Sequence, residues 1–190
     1  MKVGIIRIGE TNEDLVNRVQ ENLTTSLPQT TAAQIAEALP LPQQAYDEER
    51  EQYHSNTILN IIRTEAEKIK SFDAILGIVD VDIFARPLSF VFGQAENPGK
   101  AALISLWRLN PEFYGKKANM ELFVERSTKE AVHEIGHTLG LQHCSNPFCV
   151  MYFSNSIFET DRKQSLFCNK CYLKIENSQA TKDEDVEQPS

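Results

Sequence analysis

The segment Ala131–Met151, AVHEIGHTLGLQHCSNPFCVM, holds three of the four histidines in the chain and two of its four cysteines. Its apolar residues repeat at helical spacing. Val124, Thr128, Ala131, Val132, Ile135 and Leu139 form one stripe, which predicts a long helix over roughly Asn119 to Leu141. Arg126, Glu130, His133 and His137 fall on another side. Ser127 with Glu130 offers an alternative capping box and a later start. The apolar period reaches back to Val124, so the longer helix is the expectation. His133 and His137, four apart on that helix, have Cβ atoms about 6 Å from one another.

Two such imidazoles can reach one metal ion at about 2.0–2.1 Å. Glu134 projects about 100° further round the helix, beside the metal rather than on it. That position suits a general base for a metal-bound water. His143 cannot share the face by continuing the helix straight on. Gly140 lies between, and glycine accepts the left-handed conformation that ends many helices. A bend there returns His143 to the metal. Three neutral histidines leave a fourth position for water, which is a catalytic rather than a closed structural zinc arrangement. Zinc lowers the pKa of its water toward about 7, within reach of Glu134.

Working outward, "KVGIIRI" from Lys2 reads as a buried strand ended by Gly9. "NEDLVNRVQENLTTSL" reads as an amphipathic helix capped by Asn12 or Thr11, with Leu15, Val19 and Leu23 inward. "TTAAQIAEALPLP" is a second strand, and a helix begins by about Asn56 with Ile58, Ile61, Ile62 and Ala66 apolar. "FDAILGIVDVDIF" is a third strand. "LSFVFGQAE" and "AALISLWRL" are two more, separated by "NPGK". The alternation predicts an α/β fold with a mostly parallel twisted sheet. The short last link predicts an antiparallel edge strand.

The chain has 190 residues, 41% hydrophobic, enough for one domain with its own core. A net charge of −8 disfavours nucleic acid as a partner. "MKVGIIRIGE" is interrupted by Arg7 and lacks the features of a signal peptide. No stretch is apolar enough to span a bilayer. A cytoplasmic monomer is expected, and there four cysteines favour thiolate ligands over disulfides.

HExxHxxGxxH followed by Met resembles the metzincin metallopeptidases. His143 is followed by Cys144, Cys149, Met151 and the pair Cys168 and Cys171. The combined pattern, HExxHxxGxxHC, Cx4CxM and CxxC, closely resembles the archaemetzincins over Lys129 to Tyr172. The resemblance implies a metzincin-like fold, a catalytic zinc and a second, cysteine-bound zinc. It also makes Met151 the methionine of the turn beneath the catalytic zinc. Four thiolates form a closed site, hence a structural one. That site would fasten the chain directly after His143, with the C-terminal segment as a strut. Disulfides, or Cys144 as an inhibitory ligand of the catalytic zinc, are the alternative readings.

The domain expectation is a catalytic unit over 1–175, with the zinc segment at 144–173, and a disordered acidic tail over 176–190. His54 reads as a structural histidine, and Asp80 and Asp82 as turn or capping residues. Trp107, Phe90 and Phe92 read as core, and Asp47 to Arg50 as a solvated face. "SFVFGQAE", around Val91 to Ala95, is the expected edge to which a peptide adds as a strand. The functional expectation is peptide-bond hydrolysis on a peptide or small-protein substrate. The alternative is a zinc-stabilised interaction protein with little activity. A nucleic-acid zinc module using Lys170 and Lys174 is disfavoured by the acidity.

Overall fold

The computed structural model describes residues 1–27 and 29–184. In chain order the elements are β1 (Lys2–Ile8), α1 (Glu13–Ser26), β2 (Thr31–Gln34), β3 (Tyr46–Asp47), β4 (Gln52–His54) and α2 (Ser55–Lys68). Then come β5 (Ala74–Val79), β6 (Ile83–Phe84), β7 (Gly93–Ala95), β8 (Ala101–Ser105), α3 (Met120–Thr138), α4 (Ile157–Arg162) and α5 (Asn169–Glu184). The main sheet runs β2-β1-β5-β8-β7. Four of its strands are parallel, and β7 runs antiparallel to β8 at the edge, with Gly93 opposite Ile104 and Ala95 opposite Ala102. A small second sheet, β3-β4-β6, flanks it.

Alternation along the strands sorts the core into two layers. Val3 and Ile5 of β1, Leu76 and Ile78 of β5, and Ala102 and Ile104 of β8 face α1 and α3. Ile6, Ile8, Ile75, Val79 and Leu103 face α2, against Ile58 and Ile62. Every residue of β5 and β8 is buried. This is the pattern of a parallel sheet covered on both faces. Leu15, Val19 and Leu23 of α1 are fully buried, each contributing about 1.5–3 kcal/mol by leaving water. The Asn12 side chain accepts from Leu15 N at 3.1 Å and starts that helix.

Several elements differ from expectation. The second strand is confined to Thr31–Gln34; Leu39 contributes only an isolated bridge to Ile8 before the prolines. The third divides after Val79, and Ile83–Phe84 joins the second sheet. Asp82 sits at the division, where both carboxylate oxygens accept from Arg108 at 2.6 Å. Asp80, beside it, has its carboxyl pushed up by burial. Trp107 is not core: it is 46% exposed, whereas Phe92 is buried. It follows β8, where Ser105 Oγ turns to the Val81 carbonyl and Trp107 N bonds Ser105 Oγ, so the chain leaves the sheet. His54 packs on Phe84 with ring centroids 4.2 Å apart and lies 3.6 Å from Asp47, a structural setting. Arg50 is not only a solvated residue: it stacks over Phe84 and donates to the Ser89 carbonyl.

Helix α5 runs on through Glu184, into residues that composition marks as a solvated tail; 185–190 lie outside the described residues. Glu176, Gln179, Ala180, Lys182 and Glu184 in this run are good helix formers, which extend a helix once it has begun. Among the described residues no helix is long and apolar enough to cross a membrane.

Candidate active site

Helix α3 carries the first half of the site. Asn119 accepts from Leu122 N at 3.1 Å and caps its start. Ser127 instead bonds back to the Phe123 carbonyl at 2.8 Å, so the helix does not restart there. Val124, Ala131, Val132 and Ile135 are buried as expected, and Leu139 is half-buried. The side that carries Arg126, Glu130, His133 and His137 is also buried, except that His137 is half-buried. Arg126 is 0% exposed, Glu130 5%, His133 4% and Glu134 4%. Arg126 reaches its depth by a two-pronged pair with Asp161 and a bond to the Leu109 carbonyl. A helix buried on both sides holds its side chains far more firmly than a half-solvated one.

The helix ends as the glycine requires. Gly140 has φ +89°. Its N–H donates to the His137 carbonyl at 2.8 Å, and Leu141 N donates to the Gly136 carbonyl at 3.1 Å. These two bonds are a Schellman motif. The reversal brings His143 back over α3. Its ring centroid lies 5.4 Å from that of His133 and 4.9 Å from that of His137.

One nitrogen of each of the three imidazoles lies within 4.8 Å of the others, and His133 Nε2 and His137 Nε2 are 3.2 Å apart. Two ligands at about 2.0–2.1 Å on a tetrahedral zinc are roughly 3.3 Å apart. Backbone carbonyls fix the rings from behind: His133 Nδ1–H donates to Val150 O and His137 Nδ1–H to Leu141 O, each at 2.7 Å. This leaves Nε2 unprotonated and aimed inward. The Asn97 amide holds the same Leu141 carbonyl at 2.7 Å. Burial pushes all three imidazole pKa values down, His133 furthest, with the Lys163 charge adding to each. Neutral imidazole is the ligating form.

Glu134 stands beside them. Burial, then the neighbouring Glu130 carboxylate, push its carboxyl well above the usual range. Its Oε2 is buried with no hydrogen-bond partner among the described residues. A cation with a water at the imidazoles would supply what both observations lack, a countercharge and a donor. A Cβ on Gly93 of β7 would lie 2.7 Å from Glu134 Cγ and Oε1. Gly93 thus lets the edge strand pass directly over the carboxylate. These residues line a cleft of about 540 Å³ between β7, α3 and the segment Phe153–Asn155.

Met151 is fully buried, and its sulfur lies where a side chain on Gly136 would go. The turn therefore packs under α3 between the two helical histidines. The four cysteines gather next to it. Cys144 and Cys168 Sγ are 3.8 Å apart, as are Cys149 and Cys171 Sγ, and none is in a disulfide. Four thiolates at about 2.3 Å from a tetrahedral zinc would be separated by roughly this distance. Burial opposes the Cys168 thiolate, but hydrogen bonds from the Cys171 N–H and the neighbouring thiols bring it down to about 7. Burial and then the Cys149 charge push Cys171 up. The four cannot all ionise without a cation among them.

The stretch from His133 to Cys171 thus brings together every residue expected to ligate a metal. Asn97, Gly136, the Val150 carbonyl and Lys163 belong to the site and were not assigned to it from sequence; Gly93 was expected only as part of the edge strand, and Glu130 only as sharing the helix side of His133 and His137. A glycine inside "SFVFGQAE" was the one available signal, since glycine within a strand marks close approach.

A family model for peptidase family M54 matches residues 7–177. The chain belongs to that family, the archaemetzincins. It is 41% identical over 177 residues to the archaemetzincin of Methanocaldococcus jannaschii, covering 93% of this chain and 94% of that one. The Archaeoglobus fulgidus archaemetzincin, solved as a complex with malonate, is 37% identical with a TM-score of 0.77, over 92% of this chain and 99% of that one. The Methanopyrus kandleri archaemetzincin is 33% identical with a TM-score of 0.81, over 95% and 96%. Membership of M54 supports zinc metallopeptidase chemistry, and with it a peptide substrate.

Proposed function

We propose that this archaemetzincin hydrolyses peptide bonds, with His133, His137 and His143 holding a catalytic zinc and Glu134 as general base. The observation that carries this is three inward-facing imidazole nitrogens beside an unbonded, buried Glu134 oxygen, in a cleft roofed by an antiparallel edge strand. Zinc held there would supply Lewis acidity toward the scissile carbonyl and the attacking water. Glu134 takes one proton of that water as its oxygen bonds the carbonyl carbon. The same carboxyl then delivers the proton to the leaving amine as the C–N bond breaks. The outer edge of β7 offers main-chain groups to an extended peptide, and Gly93 lets that strand lie over Glu134.

Cys144, Cys149, Cys168 and Cys171 hold a second, structural zinc in this reading, and Met151 supports the first from below. The catalytic unit spans 1–175, with the zinc segment over 144–173, and acts as a cytoplasmic monomer on peptides or accessible termini. Metal analysis of the purified protein, paired with a diverse peptide library, tests it. Zinc at both clusters and cleavage that vanishes in Glu134→Gln are expected. A zinc-loaded protein that leaves the whole library intact is a zinc-stabilised binding protein instead.

A further inference from the structure

The antiparallel pairing of β7 with β8 makes the entry of one strand and the exit of the other neighbours. Ser105 N donates to the Phe92 carbonyl at 2.8 Å, one step beyond the pair of Gly93 and Ile104. The chain before β7 therefore meets the chain after β8. Phe90, half-buried, lines the cleft, and the Arg108 guanidinium stacks 4.4 Å from its ring centroid. The same guanidinium lies 5.0 Å from the centroid of Phe113. The Phe113 and Tyr114 rings then meet edge-on at 5.0 Å. Aromatic and guanidinium planes thus follow one another from the cleft wall out to the surface. Phe113 is 42% exposed at the outer end, and Tyr114 37%.

These exposed rings are fixed in place, which lowers the entropy lost when something binds them. Asp82 accepts from Arg108 Nε and Nη2, each at 2.6 Å, so the guanidinium plane is held and its charge is balanced. Tyr114 OH donates to the Arg108 carbonyl at 2.8 Å. Both rings stand on a single 3-10 turn, Pro111–Tyr114, whose start is capped by Asn110 Oδ1 accepting from Glu112 N at 3.0 Å. The surface offers aromatic faces rather than a free cation, which suits an apolar or aromatic side chain. Phe90 and Phe113 touch one guanidinium, so an extended peptide covers the gap in about three residues at roughly 3.3 Å each. A peptide added along β7 that runs on past Gly93 reaches Phe90 and then Phe113, whichever way its chain points. We propose that Phe113 and Tyr114 form an outer subsite of the cleft, gripping an apolar or aromatic side chain on one flank of a peptide substrate. The occupant is the substrate's own flank because the stack begins in the cleft that holds the rest of it. This inference rests on the peptidase reading above, in which the peptide lies along β7.

The test uses the zinc-loaded full chain and one short core peptide, offered alone and with Gly/Ser extensions at either end. Each extension position is replaced in turn by Phe, Leu or Glu. At one end, Phe or Leu should raise kcat/KM about threefold to tenfold over Ser. The gain should fall on KM with kcat unchanged, as for binding that is equal in ground and transition states. Phe113→Ala should erase it while the core peptide alone is cleaved as by the wild type. Phe113→Tyr, which keeps the ring, should retain it. Fluorescence anisotropy of the same peptides on Glu134→Gln reads the preference without turnover. A flank preference in binding that Phe113→Ala abolishes, with no peptide cleaved by the unaltered protein, keeps the subsite and removes the peptidase reading. Cleavage with no flank gain, a gain that survives Phe113→Ala, or a Glu flank favoured over Phe overturns the subsite and leaves the peptidase reading intact.

Discussion

The two cysteine- and histidine-bearing clusters are built in opposite ways. Two of the three imidazoles, those of His133 and His137, are placed by a largely buried 19-residue helix, with carbonyls from Val150 and Leu141 orienting their rings. The thiols sit on turns and on the first turn of α5, with Cys149 and Cys171 buried and Cys144 and Cys168 half-buried. Packing and carbonyl contacts thus hold two of the imidazoles in place, whereas among the thiols the proposed structural zinc would supply most of the cross-linking. The two clusters are joined covalently. Cys144 follows His143, and Cys149 precedes Val150 and Met151, whose carbonyls bond His133 Nδ1 and Cys144 N.

The largest expected effect falls on the cysteine cluster. Replacing Cys168 and Cys171 together by Ser should forfeit about 10–16 kcal/mol of zinc binding. Limited proteolysis should then cut within 144–175 while α1, α2 and the sheet survive. Zinc affinity at the histidines should also fall, since His143 and Val150 lose their anchor; undiminished affinity there would separate the clusters. Next in size, Glu134→Gln should lower kcat by about a thousandfold or more with zinc retained. Steady-state kinetics and metal content check it, and loss of metal would mean that Glu134 ligates rather than accepts protons.

Smaller changes probe the packing. Gly136→Ala drives a methyl group into Met151, and overpacking of this kind costs about 1–3 kcal/mol. Denaturant unfolding should register that loss, and a neutral result would mean that Met151 can move aside. Asn97→Ala removes the amide that braces the Leu141 carbonyl behind His137. Supporting contacts of this type are worth about tenfold or more in metal affinity. Competitive chelation should detect it with little change in unfolding midpoint.

The sequence showed the histidine site more fully than its surroundings, for physical reasons. Ligand spacing on a helix is a local property, so His133, Glu134 and His137 could be read from period alone, and Gly140 announced the reversal. The parallel core strands were equally legible because they are continuous apolar runs. Trp107 was misplaced because an aromatic residue after a buried strand carries no local mark of where the chain leaves the sheet. The buried far side of α3 was hidden because Arg126 and Glu130 look solvent-seeking until Asp161 and Lys163, more than thirty residues on, arrive to pair with them. Lys163 belongs to no spacing pattern at all. Its role depends on where α4 delivers it.

Diffraction at the zinc absorption edge from crystals of the zinc-loaded protein tests the central claim most directly. One anomalous peak is expected about 2.0–2.1 Å from a nitrogen of each of His133, His137 and His143, with one corner left to solvent. A second is expected among the four sulfurs. A histidine-site peak that engages Cys144 or the Glu134 carboxylate, or one from which His143 has turned away, would contradict it.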